Sequence, residues 1–130
     1  MENIQLLNTQ HAPAAIGPYS QAVKVGSLIY TSGQIALMPD GTMVENNIEK
    51  QSFQVLTNLK NILIHNDSDL NFVIKTTIFL VNMDDFIAVN KIYSEFFGEH
   101  KPARSTVAVK SLPRNALVEI ECIAKSNYNH

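Results

Sequence analysis

The sequence predicts an α+β protein in which a mixed six-stranded sheet carries two helices on one face. Three observations lead there. Short β-branched runs alternate apolar and polar residues, two longer stretches repeat apolar residues at helical spacing, and the elements come in a telling order. That order is strand, hairpin, helix, strand, helix, hairpin; helices separated by strands, with hairpins at both ends, pack as two layers. A chain of 130 residues is long enough to bury a core without disulfides or metals, and one domain over 1–130 is expected. Its 45% hydrophobic and 17% charged content belongs to a globular chain and not to a disordered one. A formal net charge of −2, with no run of Lys and Arg, gives no electrostatic case for a nucleic-acid partner.

Taken in order, Ile4–Leu7 reads as a short leading strand. His11-Ala12-Pro13-Ala14-Ala15-Ile16-Gly17-Pro18 then excludes regular structure through two prolines and a glycine. Gln21–Val25 and Leu28–Ile35 read as strands, and the Gly26-Ser27 link between them is a hairpin signal. Gly33 interrupts the second strand, which weakens it unless something must approach the backbone. A structural bulge and ligand approach both stand at this point. Pro39-Asp40-Gly41-Thr42 is a turn, and Asn46 with Glu49 three residues on offers a helix cap. Ser52, Val55, Leu59, Ile62 and Leu63 then share a helical face, with Lys50, Gln54, Thr57, Asn58 and Asn61 mostly away from it. This helix of about five turns ends near His65-Asn66, where a histidine suits the negative pole of the dipole. The acidic loop Asp67-Ser68-Asp69 lacks the ligand spacing and the glycine of a calcium loop.

Phe72–Val81 is the most strand-like run, with Ile74, Thr76, Ile78 and Leu80 on one face and Lys75, Thr77, Phe79 and Val81 on the other. Asn82 offers a cap to a second helix that runs to about Phe97 and stops at Gly98. Along it Phe86, Asn90, Tyr93 and Phe97 form a stripe, in which a buried asparagine must find hydrogen-bond partners. Pro102–Val109 and Leu117–Cys122 read as a closing hairpin around the turn Ser111–Asn115. If the apolar sides of these two strands share the core, Arg104, Thr106, Glu119 and Glu121 converge on the opposite face. That grouping is either a site or a solvent-facing ion-pair ladder, since exposed pairs are common and weak. Cys122 falls on the presumed core face and, as the lone cysteine, reads as a buried structural thiol. Two helices cover one sheet face only. The other, with Val73, Thr77, Phe79 and Ala108 beside Arg104 and Glu119, is too apolar to leave in water, so a second copy of the chain is expected to cover it. The start of the chain shows no basic region followed by an apolar stretch, and no apolar run is long enough to span a bilayer, so a cytoplasmic or organelle-matrix location without membrane contact is expected.

Four motifs in order make a resemblance that covers nearly the whole chain: Gly17-Pro18-Tyr19-Ser20-Gln21-Ala22, Tyr30-Thr31-Ser32-Gly33-Gln34-Ile35, Pro102-Ala103-Arg104-Ser105-Thr106-Val107, and Leu112-Pro113 with Val118-Glu119-Ile120-Glu121. With them the sequence resembles the reactive intermediate deaminase family, also called YjgF/RidA. The resemblance implies a chorismate-mutase-like fold and a homotrimer, barrel-like at its centre, with three sites between subunits. It also implies hydrolysis of 2-aminoacrylate and related enamines or imines, released by pyridoxal-phosphate-dependent dehydratases, to 2-keto acids and ammonia. No cofactor and no metal are implied. By the same resemblance Arg104 clamps the substrate carboxylate and Glu119 orders and activates water, while Tyr19, Ser32, the backbone of Gly33, Asn90 and Thr106 shape the pocket.

These residue types suit that chemistry. A guanidinium is a flat two-pronged donor for a carboxylate and stays charged at any relevant pH. One carboxylate near the water can serve as base and then as acid. The chain departs from the family at Thr106, where cysteine is usual. Its backbone can still hold a water, but thiol-based sensitivity at the site would be absent. Glu121 matches no family role. Two other readings are a regulatory protein that binds 2-keto acids without turnover, and an endoribonuclease or translation inhibitor, against which the acidic balance and missing basic-aromatic surface argue.

Overall fold

The computed structural model describes residues 3–126. Six strands, β1 (Ile4–Leu7), β2 (Ala22–Val25), β3 (Leu28–Thr31), β4 (Val73–Leu80), β5 (Ala103–Ala108) and β6 (Val118–Lys125), form one sheet in the order β1-β2-β3-β6-β4-β5. Helices α1 (Ile48–Ile64) and α2 (Phe86–Phe97) pack on each other, and α1 on β6, so the mixed sheet and its two-helix layer are as expected. The core lies between the layers: Ile29, Ile78, Leu80, Val118 and Ile120 from the sheet meet Val55, Leu56, Leu59, Leu63 and Val89 from the helices. Burying each such side chain stabilises the fold by roughly 1.5–3 kcal/mol.

The amino-terminal hairpin forms around Gly26, whose φ of 59° suits a tight turn. The expected closing hairpin does not. β4 lies between β5 and β6, pairing parallel with β5 and antiparallel with β6. Parallel neighbours need a long crossover, and α2 supplies it between β4 and β5. A face assignment changes with the topology. Arg104, Thr106 and Ala108 are in register with Thr76, Ile78 and Leu80, the helix-facing side of β4. Glu119 and Glu121 are in register with Phe79 and Thr77, on the side the helices leave open. Arg104 and Thr106 therefore do not share a face with the two carboxylates, because β5 is an edge strand whose Arg104 side, not its Val107 side, lies against α2.

Smaller corrections have local causes. A register shift between Val73 and Lys75 turns Val73 into the core and leaves Ile74 exposed, reversing the simple alternation at that end of β4. The cap of α1 is Asn47, which accepts from the Lys50 amide (2.9 Å), one residue after the expected Asn46. Asn82 caps a 3-10 turn, Met83–Asp85, that leads into α2. Regular pairing in β3 ends at Thr31, and Gln34 then returns to the sheet, bridged to Ile120. Asn58, expected on the outer side of α1, is fully buried, as is Gln51. No helix among the described residues is long and apolar enough to cross a membrane.

Candidate active site

The residues expected at the site fall into two groups on opposite sides of the sheet. The first forms where α2 crosses the edge strand. Arg104 Nη1 donates to Asn90 Oδ1 at 2.8 Å, and the guanidinium carbon lies 5.0 Å from the Tyr93 ring centre and 5.4 Å from that of Phe86. Such stacking suits a flat cation. Tyr93 is itself fixed: its hydroxyl and that of Thr76 share a buried hydrogen bond of 2.8 Å. Burial raises the Tyr93 phenol above its usual range, against the opposing effects of Thr76 and Arg104. No acid pairs with Arg104 among the described residues, and one hydrogen bond leaves most of its five donors free. The cation is thus aimed but unneutralised. It opens on a cavity of about 670 Å³ lined by Ile87, Asn90, Tyr93, Phe97 and His100. Thr106, two residues along β5, keeps its hydroxyl buried and without a partner among the described residues.

The second group surrounds Glu119. Gln34 N donates to the Ile120 carbonyl (2.9 Å) and Ile120 N to that of Gln34 (3.1 Å), which holds the Ser32–Gln34 segment against β6. A Cβ on Gly33 would collide with the Glu119 carboxylate, so a glycine is what lets this acid lie flat on the backbone. The glycine is a close-approach position, and what approaches it is a side chain of the same chain. Ser32 Oγ donates to the Ser20 carbonyl (2.6 Å) and ties the same segment to the loop before β2. That loop is in turn held by the buried Gln21, whose amide donates to the Pro13 (2.8 Å) and Thr9 (3.1 Å) carbonyls and accepts from the Thr9 amide (2.7 Å). Tyr19, more than half exposed, stands on this loop. With Ile16 and Arg114 these residues enclose a cavity of about 640 Å³. Glu119 is half-buried and has neither donor nor cation beside it among the described residues. Burial, and secondly the charge of Glu121, hold its carboxyl above the usual carboxylate range.

Asn90 and Arg104 therefore line one cavity, with Thr106 farther along the same face of β5, and Tyr19, Ser32, Gly33 and Glu119 line the other; none of the described residues lines both. Sequence reading missed Tyr93 and Phe86 as the cradle of the guanidinium, although both lie on the stripe that contains Asn90. It also missed Gln21 as the loop clamp and Arg114 at the second cavity. Arg114 carries no sequence signal beyond its place in a turn. Cys122 is buried; Thr31 Oγ1 lies 3.9 Å from its sulfur, and burial pushes the thiol up to about 12.

The sheet thus carries two helices on one face, an arginine with no acid partner among the described residues, and a carboxylate held against a glycine. Residues 9–126 match the family described as Endoribonuclease L-PSP. A mouse 2-iminobutanoate/2-iminopropanoate deaminase is 47% identical over 92% of this chain and 90% of its own length. The Yersinia pestis protein YyfA, described as belonging to the conserved Rid family, superposes with a TM-score of 0.93 at 47% identity, over 95% of this chain and 99% of that one. Escherichia coli TdcF, solved with bound serine, gives a TM-score of 0.88 at 39% identity over 93% and 98%. The chain belongs to this family, the YjgF/RidA or reactive intermediate deaminase family, whose members include an imine deaminase.

Proposed function

We propose that this chain is a 2-imino acid deaminase. It converts 2-iminopropanoate and 2-iminobutanoate, formed from dehydratase-derived enamines such as 2-aminoacrylate, to 2-keto acids and ammonia, and it works as a homotrimer with sites between subunits. The observation that carries the reading is the pairing of chemistries: a stacked guanidinium with free donors, and a half-buried carboxyl raised toward the range useful for proton transfer. Arg104 grips the substrate carboxylate with two parallel N–H bonds. Glu119 of a neighbouring subunit takes a proton from water as its oxygen bonds to the carbon of the protonated imine, and the C=N π pair moves to nitrogen, giving a neutral carbinolamine. Glu119 then gives that proton to the amine nitrogen of the carbinolamine. The C–N bond breaks, ammonia leaves with the bonding pair, and the hydroxyl oxygen closes to the keto group as its proton passes to the Glu119 carboxylate. Tyr19, Ser32, Gly33, Asn90 and Thr106 shape the cavity around this path. The mouse relative's activity and the amino acid bound to the Escherichia coli relative support a small carboxylate as ligand. Carboxylates on the open face and a net charge of −2 favour it over RNA.

The test couples a threonine or serine dehydratase to the protein and follows keto-acid appearance. Wild type accelerates it, and Arg104→Ala abolishes the acceleration without unfolding the protein. Arg104→Lys keeps the charge and loses the fork. A charged hydrogen bond is worth about 1.5–3 kcal/mol, so lysine lowers the rate by about tenfold to over a hundredfold. Near-wild-type turnover in Arg104→Lys rejects the clamp, and wild-type turnover in Arg104→Ala rejects the site.

A further inference from the structure

Glu119 and Glu121 are alternate residues of β6, so the two-residue period of a strand puts both on the open face of the sheet. Both are half-buried, and among the described residues neither carboxylate has a cation within 4 Å or a hydrogen-bond donor. The groups around them explain why. On β4 the facing residues are Lys75, Thr77 and Phe79, and Lys75 is in register with Ile123, beyond Glu121 and farther still from Glu119. β5 presents Ala103, Ser105 and Val107, none of which titrates. β3 presents Tyr30, opposite Ile123. Tyr19 and Arg114 line the Glu119 cavity without forming an ion pair to it. Within one chain the two acids thus lie side by side on this face without an ion pair, and the ionised form of Glu119 is disfavoured, by burial first and by Glu121 second.

We propose that Glu121 is a positioning residue for Glu119, acting on the charge of that carboxyl across the short span between them and never on substrate. Two residues along a strand span roughly 7 Å, near enough for one ionised carboxylate to hinder ionisation of the next. Glu121 is the second cause, after burial, of the raised Glu119 carboxyl. On the deaminase reading, this coupling adds to burial in favouring the protonated Glu119 that returns its proton to nitrogen.

The test reads Glu119 directly, by NMR titration of protein labelled with ¹³C at the glutamate side-chain carboxyl, the signal assigned with Glu119→Gln. In Glu121→Gln the Glu119 titration moves to lower pH by roughly half to one unit, as removal of one like charge at this distance requires. Glu121→Thr gives the same shift by a second route, while Glu121→Asp, which keeps the charge, retains most of the wild-type behaviour. The acidic limb of kcat/KM moves in the same direction as the NMR titration. An unchanged Glu119 titration in both neutral variants overturns the proposal. Absence of turnover in the wild type rejects the deaminase reading instead, and the NMR titration decides the coupling without it.

Discussion

Glu119 lies against Gly33 because that residue has no side chain, and the space a Cβ would fill is where the proposed base rests. In Gly33→Ala the new methyl meets the far end of a flexible side chain, so Glu119 swings aside while the fold survives. Displacing a reacting group by about 1 Å can cost about a hundredfold in rate, and turnover should fall by that order with little change in thermal midpoint. Glu119 itself should act against stability. Its carboxyl is raised by burial and by Glu121, so the folded protein prefers it protonated. The associated stability is fully present below the ordinary glutamate range and lost as pH rises through the raised value. Glu119→Gln should therefore melt higher than wild type at neutral pH, with the gain shrinking as pH falls into the range where Glu119 protonates; a variant that melts lower at neutral pH, or a gain independent of pH, contradicts this. The oddity of Gly33 was legible in the sequence as a glycine inside a strand pattern. Its cause was not, since only the fold brings residue 119 beside residue 33.

The loops that form the Glu119 cavity are held by α1 through amides that the hydrophobic pattern could not reveal. Gln51 Oε1 accepts from the Leu117 amide (2.9 Å), and its Nε2 donates to the Glu45 carbonyl (3.2 Å), linking the approaches to α1 and β6. Asn58 Nδ2 donates to the Leu37 carbonyl (2.8 Å) and its Oδ1 accepts from Gln54 Nε2 (2.9 Å). In Gln51→Met the shape is nearly kept but a partly buried N–H and the carbonyls lose their partner. At about 1–3 kcal/mol for each unsatisfied group, urea unfolding should show a loss of at least about 2 kcal/mol; a loss below half of that would mean that water replaces the amide. Spacing alone defined the apolar face of α1 through Val55, Leu59, Ile62 and Leu63, all buried as read. It set Asn58 outside because an amide reads as polar until the irregular backbone it serves is known. β5 shows the same limit in another form. Arg-Ser-Thr-Val-Ala offers no face clearly more apolar than the other, so the sequence could not say which side meets a helix. Nor could it show that β4, far earlier in the chain, comes between β5 and β6.

At the scale of the molecule, the reversed face of β5 gives the best reason for assembly. Arg104 sits on the helix side at the sheet edge and Glu119 on the open side, so one chain cannot close both around a substrate a few atoms long. The open face is also poorly suited to water: Ile4 is 69% exposed, Leu6 70%, Val107 43% and Tyr30 40%, and all four lie on it. If a second copy covers this face in a closed ring, the edge of one chain with Arg104 can meet the Glu119 cavity of the next. Light scattering should give three times the chain mass at micromolar concentration; a monomer removes the shared site. A mixing experiment tests the sharing itself. Arg104→Ala and Glu119→Gln should each be inactive alone. Unfolded together in equal amounts and refolded, they form hybrid rings. A site between subunits is intact when the chain donating its arginine is the Glu119 variant and its neighbour is the Arg104 variant, so about a quarter of sites should be restored if subunits assort at random in a closed ring. Sites built within one chain would stay dead in every hybrid, because no chain in the mixture carries both residues. Recovery near a quarter of wild-type turnover therefore supports the inter-subunit site, and none at all, with hybrid rings confirmed by mass, rejects it.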